Sequence, residues 1–205
     1  MIEKLVNLFA KVNAKIRTKF IYSFIFNRIG RNTIIYKPLL ISNGKYINLG
    51  NKVLIRNNIR LETIPLFGKP LLSIGDNCNI EQNVHIICSN KVVIGKNCTI
   101  TANCAIVDTT HPYEDITLEK IGNKLNHVPQ EIIIGDNCFL GIGAILLPNV
   151  KLEEYCIVGA NSVVTKSFPA YSVIAGNPAI MIKRYDLEKK IWRKTNNEGE
   201  FIDEI

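Results

Sequence analysis

IGDNCFLGIGAILLPNVKLEEYCIVGANSVV, residues 134–164, places an aliphatic side chain at every sixth position: Ile134, Leu140, Leu146, Leu152, Val158 and Val164. A period of six fits neither the 3.6 residues of a helical turn nor the alternation of an ordinary strand. A short fixed repeat implies a solenoid, in which each unit buries its apolar side chain by stacking on its neighbours. The register continues upstream at Ile74, Ile80 and Ile86 and, after two inserted residues, at Ile94, Ile100 and Ile106.

A second position follows the first. Four residues after each aliphatic stand Cys78, Val84, Cys98, Cys104, Cys138, Ala144, Val150, Cys156 and Ser162, all small, while Gly75, Gly95, Gly135, Gly141 and Gly159 follow the aliphatic directly. A large side chain pointing into a narrow prism, a small one beside it and a corner residue with a permissive backbone prescribe a tightly wound coil.

With these positions together, the chain resembles the hexapeptide-repeat acyltransferases, over about residues 41–184. The resemblance implies an all-β solenoid, a left-handed parallel β-helix in which three hexapeptides make one triangular coil. This is an exception to the right-handed crossover of ordinary parallel strands. The expected organisation is a basic helical leader over 1–37, the β-helix over 38–184 with an excursion at 107–133, and a short C-terminal helix and tail over 185–205.

At 205 residues and 47% hydrophobic content the chain can bury one core. Five of its six cysteines occupy the small interior position and read as compact hydrophobes, with Cys88 outside the pattern. With no signal peptide and no Cys-x-x-Cys pair, the thiols are expected reduced and the protein cytoplasmic.

The formal charge of +7 belongs entirely to the leader: residues 1–37 hold eight basic residues against Glu3 alone, and the remainder is neutral. Nucleic-acid binding by the β-helix therefore has little support. In the leader Ile2, Leu5, Phe9, Val12, Ile16, Phe20 and Phe24 recur at helical spacing with lysines between them. Charge interrupts the segment too often for a bilayer span. Two readings stay open: the apolar face packs on the first coils or a partner subunit, the more frequent fate of such stripes, or residues 1–30 rest on the inner face of an anionic membrane.

The excursion opens with VDTTHPYED, and in the sugar O-acetyltransferases of the resembled family the coil entering it ends with an Asp-x-x-His that Asp108 and His111 match. Acyl transfer from a thioester to a hydroxyl needs a base as the oxygen attacks, and an ordinary imidazole, with pKa about 6.5, is mostly neutral at cell pH. His111 is expected to be that base. Asp108 either orients the imidazole or caps the turn.

The resemblance further implies acetyl-CoA as donor. It assigns Gly141, Ile142 and Ala160 to the pantetheine channel through backbone groups, Thr165 and Lys166 further along it, and Lys183 and Arg184 to the nucleotide phosphates. Ile180 stands where relatives often carry Arg, and Ile142 where they often carry Ser. Asn83 and His85, in IEQNVHII, are candidates for the sugar acceptor; His127 is assigned to structure.

Some left-handed β-helix hydratases bind zinc through three imidazoles, but the histidines here are separated by 26 and 16 residues, so no metal is expected. The leading function is an acetyl-CoA-dependent O-acetyltransferase acting on a sugar in surface-polysaccharide synthesis, as a homotrimer with active sites between subunits. The alternatives are N-acetylation of an amino sugar or small xenobiotic, and a non-catalytic scaffold subunit.

Overall fold

The computed structural model describes residues 2–196 and 198–202. Helix α1 (Ile2–Phe20) precedes six complete coils of a left-handed β-helix. The first coil holds β1 (Arg28–Ile29), β2 (Ile34–Ile35) and β3 (Leu40–Ser42), and the second β4 (Ile47–Leu49), β5 (Leu54–Ile55) and β6 (Arg60–Thr63). The third holds β7 (Leu71–Ile74), β8 (Asn79–Ile80) and β9 (His85–Cys88), and the fourth β10 (Lys91–Ile94), β11 (Thr99–Ile100) and β12 (Ala105–Val107). After the excursion come β13 (Glu131–Ile134), β14 (Phe139–Leu140) and β15 (Ile145–Leu146), then β16 (Val150–Leu152), β17 (Ile157–Val158) and β18 (Val163–Val164). Corresponding strands pair in parallel to build three faces: β1-β4-β7-β10-β13-β16, β2-β5-β8-β11-β14-β17 and β3-β6-β9-β12-β15-β18.

The six-residue register and the strand register coincide. Ile74 lies over Ile94, Ile134 and Leu152, and Ile86 over Ile106, Leu146 and Val164. All twelve repeat aliphatics are buried, as are the nine small residues beside them. Cys88 is buried too, its thiol directed at the Leu71 carbonyl (3.4 Å), and burial, with the Asp108 charge nearby, pushes that thiol up.

The glycines serve a different purpose from the one their position suggested. The left-handed corner residue is an asparagine two positions later, at Asn77, Asn97 and Asn137 with φ near +58°, and these side chains bond to one another up the edge. Asparagine tolerates that conformation. Gly75 instead lies where a Cβ would meet the Gly95 carbonyl oxygen at 2.6 Å, so it permits close stacking of coils.

Both ends depart from expectation. The β-helix begins at Arg28, because Ile29, Ile35 and Ile41 already keep the six-residue spacing; the leader is correspondingly shorter than 1–37. At the other end the chain forms strands where a helix was expected: β19 (Ser172–Gly176) extends the second face, and β20 (Ala179–Asp186) and β21 (Ile191–Lys194) fold back on it antiparallel. Asp186 fixes the turn by accepting from the Glu188 and Lys189 N–H groups and the Arg193 guanidinium, and Trp192 packs edge-on against Tyr185 at 5.4 Å.

Helix α1 caps the first coil through a narrow polar face. Thr18 Oγ1 accepts from the Ile35 N–H at 2.8 Å and donates to the Ala14 carbonyl at 2.7 Å. Ala14 and Thr18 are the helix's buried residues, and they shield the edge strand β2. Of the surfaces expected to receive the apolar face, the chain's own coils do not, and the face points away from them.

Candidate active site

The excursion leaves β12 on the third face and re-enters at β13 on the first, so it projects from the edge between those faces. Thr110 and Asn126 close its base, with the Asn126 N–H donating to the Thr110 carbonyl at 2.8 Å. His111 stands just beyond, exposed, with Nδ1 2.6 Å from the Lys124 carbonyl oxygen. A carbonyl can only accept, so Nδ1 carries the ring proton and the lone pair lies on Nε2. Toward the tip the arm presents Ile116, 93% exposed.

Asp108 does not orient this ring. Its Oδ1 accepts from the Ser89 N–H (2.6 Å) and hydroxyl (3.0 Å), and its Oδ2 from the Asn90 and Lys91 N–H groups (2.9 Å each). Fully buried, it caps the turn of the coil below, and the Lys124 carbonyl is the imidazole's partner. The motif showed both side chains but not their partners, which lie 13 to 19 residues away.

His85 is half-buried on the outward side of the third face, in register with Arg60 below and Ala105 above. Arg60 and Glu62 form an ion pair beside it, a polar strip that the sequence did not single out because the register linking Arg60 to His85 is tertiary. Asn83 is a corner residue with φ +59°, and its amide nitrogen donates one of its two hydrogens to Asn103 Oδ1 at 3.0 Å. His127 is exposed in the returning limb of the excursion.

The seven residues expected to hold the coenzyme fall into three groups. Gly141, Ile142 and Ala160 stack on the edge between the second and third faces. The Gly141 N–H and carbonyl are taken by Val158 and Ala144, so Gly141 contributes close approach rather than a backbone bond: a Cβ there would lie 2.7 Å from the Ala160 nitrogen. The Ile142 carbonyl accepts from the Asn161 N–H at 2.8 Å, and the Ile142 side chain is half-exposed. Thr165 and Lys166 follow β18 on the excursion's edge, with the Lys166 ammonium 5.7 Å from the Phe168 ring. Lys183 and Arg184 are exposed on β20, in register with Lys194 and Arg193, so the two lysines share one face of the hairpin and the two arginines the other, where Asp186 pairs with Arg193. Within one chain, His111 and the Gly141 edge are therefore on different corners of the prism.

The hexapeptide-repeat family models match both halves of this coil stack: residues 131–166 match the bacterial transferase hexapeptide (six repeats), and residues 72–107 the hexapeptide repeat of succinyl-transferase. WbbJ of Escherichia coli, named for O-acetyl transfer in lipopolysaccharide biosynthesis, is 32% identical over 166 residues, 78% of this chain and 83% of its own. The chain belongs to the hexapeptide-repeat acyltransferases. Another member of the family, the galactoside O-acetyltransferase of Lactococcus lactis, is 30% identical over 82% of this chain and 71% of its own. The hexapeptide-repeat fold is also shared with solved structures. A variant of the N-acyltransferase AntD from Bacillus cereus, in complex with dTDP-4-amino-4,6-dideoxyglucose and coenzyme A, superposes with TM-score 0.68 at 19% identity over 84% of this chain and 91% of that one. A maltose O-acetyltransferase from Clostridium difficile does so with TM-score 0.54 at 23% identity over 90% and 84%.

Proposed function

We propose that this protein transfers the acetyl group of acetyl-CoA to a sugar hydroxyl in surface-polysaccharide synthesis, with His111 as general base. The observation that carries the reading is the His111–Lys124 contact, which presents a basic Nε2 at the mouth of a projecting arm. The acceptor hydroxyl gives its proton to Nε2 as its oxygen attacks the thioester carbon; the tetrahedral intermediate then collapses, expelling coenzyme A as the thiolate, which takes up the proton. Transfer is direct, within a ternary complex. Relatives named as sugar O-acetyltransferases, WbbJ and the galactoside enzyme, support oxygen as the nucleophile.

Three chains assemble so that the arm of one reaches the Gly141 edge of the next. Their separation on different corners of one chain and the exposed Ile116 at the arm's tip support this arrangement. The coenzyme then lies along Gly141, Ile142 and Ala160, with Lys183 and Arg184 placed for its phosphates. The test is to incubate the protein with radiolabelled acetyl-CoA and a galactoside or maltose probe. An alkali-labile labelled sugar supports O-transfer, an alkali-stable one on an amino-sugar probe would assign N-transfer, and no labelled sugar with any probe would contradict the reading.

A further inference from the structure

Helix α1 is anchored to the coils only at its C-terminal half, by Ala14 and Thr18; residues 2–13 are all exposed. Nineteen residues span about 28 Å, and ahead of that anchor Asn7, Ala10 and Asn13 border a groove whose far wall is the first two coils. Phe9 and Thr18 are nine residues apart, about 180° around the helix. Accordingly, Ile2, Leu5, Phe9, Val12, Ile16 and Phe20 form a stripe facing directly away from the β-helix, 43–75% exposed. Phe24, just past the helix, is 86% exposed and extends it.

The surroundings of the stripe are cationic. Between the inner flank of the helix and the first two coils lies a groove of about 980 Å³ lined by Lys11, Arg17, Lys37, Lys52 and Arg56, with no acidic residue in its lining. The Arg17 Nε is buried there without a hydrogen-bond partner among the described residues, and Arg56 has Glu81 at 3.5 Å. Lys15 and Lys19 line a second cleft with Lys11 on the other flank. An apolar stripe bordered by lysines suits a helix lying in the plane of a bilayer surface, with its large side chains among the acyl chains and its cations among acidic headgroups.

We propose that α1 docks this protein on an anionic phospholipid surface, with the stripe inserted and the exposed lysines beside it, Lys4, Lys15 and Lys19, among headgroup phosphates. A partner subunit would cover the stripe without accounting for cations on both flanks. The proposal does not depend on the reaction assigned above.

The test is co-sedimentation of the full chain with phosphatidylcholine vesicles, with and without phosphatidylglycerol. Binding is expected only with phosphatidylglycerol, and added salt weakens it. Lys4→Ser with Lys15→Ser should lower the partition coefficient about thirtyfold, and Phe9→Ser with Ile16→Ser should abolish binding while leaving the thermal midpoint unchanged. Equal sedimentation of wild type and the lysine variant would overturn the proposal. So would a wild type that ignores the vesicles while the stripe variant changes its mass in solution, which would assign the stripe to a subunit interface. Substitution is the right probe, because truncation at residue 30 would cut into β1.

Discussion

The Nδ1 of His111 lies 2.6 Å from the carbonyl oxygen of Lys124, thirteen residues on and across the neck of the excursion. The contact fixes both the tautomer and the ring's direction: the other tautomer would set a lone pair against the carbonyl, and turning the ring over would replace the N–H by the Cδ2–H. Nitrogen-15 spectra of the neutral imidazole should therefore show the proton on Nδ1. A predominant Nε2–H tautomer would remove the lone pair from the nitrogen proposed to take the acceptor's proton.

Placement of the arm and the Gly141 edge on different corners predicts complementation between chains. In the proposed assembly, His111→Ala trimers lack the base, and Ile142→Glu trimers place a carboxylate in the path proposed for an anionic coenzyme. Trimers assembled from equal amounts of the two should recover about a quarter of wild-type activity, the fraction of sites that combine an intact arm with an intact neighbouring edge. A site built within one chain would recover none.

Asp108, itself fully buried, accepts four hydrogen bonds from Ser89, Asn90 and Lys91. Asp108→Ala leaves those donors without a partner and should cost about 3–5 kcal/mol in denaturant unfolding. Asp108→Asn should fall between the two, since it keeps one accepting oxygen. A substitution that lowers turnover at unchanged stability would return Asp108 to the imidazole.

The carboxyl of Asp186 is held below its usual range, first by the Lys189 N–H and then, against the cost of burial, by Arg193 and the Glu188 N–H. A depressed folded-state value means that its stabilisation is complete above the unfolded value, about pH 4, and is lost as the pH falls through the folded one. Trp192 sits on the paired strand and is the only tryptophan. Its emission should shift toward that of a solvated indole below about pH 4, and Asp186→Asn should show the shifted emission at neutral pH.

The core of this fold was legible because one period dictates it: each repeat aliphatic fixes a face, and the small residue four positions on fixes the adjacent corner. The same period ran through Ile29, Ile35 and Ile41, but Arg28, Arg31 and Lys37 between them gave the first coil the look of a basic leader. The charged spacing of residues 186–194 suggested a helix, whereas the Asp186 turn makes a hairpin. Two site features depended on tertiary register and left no local signal: Asp108 reaching back one coil to Ser89, and Arg60 lying beneath His85. The direction of the apolar helix face was equally hidden, because Thr18 wins the inward position by bonding the edge strand at Ile35.

The most direct measurement of the central claim is the initial rate of coenzyme A release from acetyl-CoA, with a glycoside on which the wild type is active, compared with His111→Ala. The histidine is exposed on the excursion, so the variant should keep the wild-type melting temperature and subunit composition. Loss of the general base should lower kcat by about 10²–10⁴. Undiminished turnover by the folded variant would contradict that role.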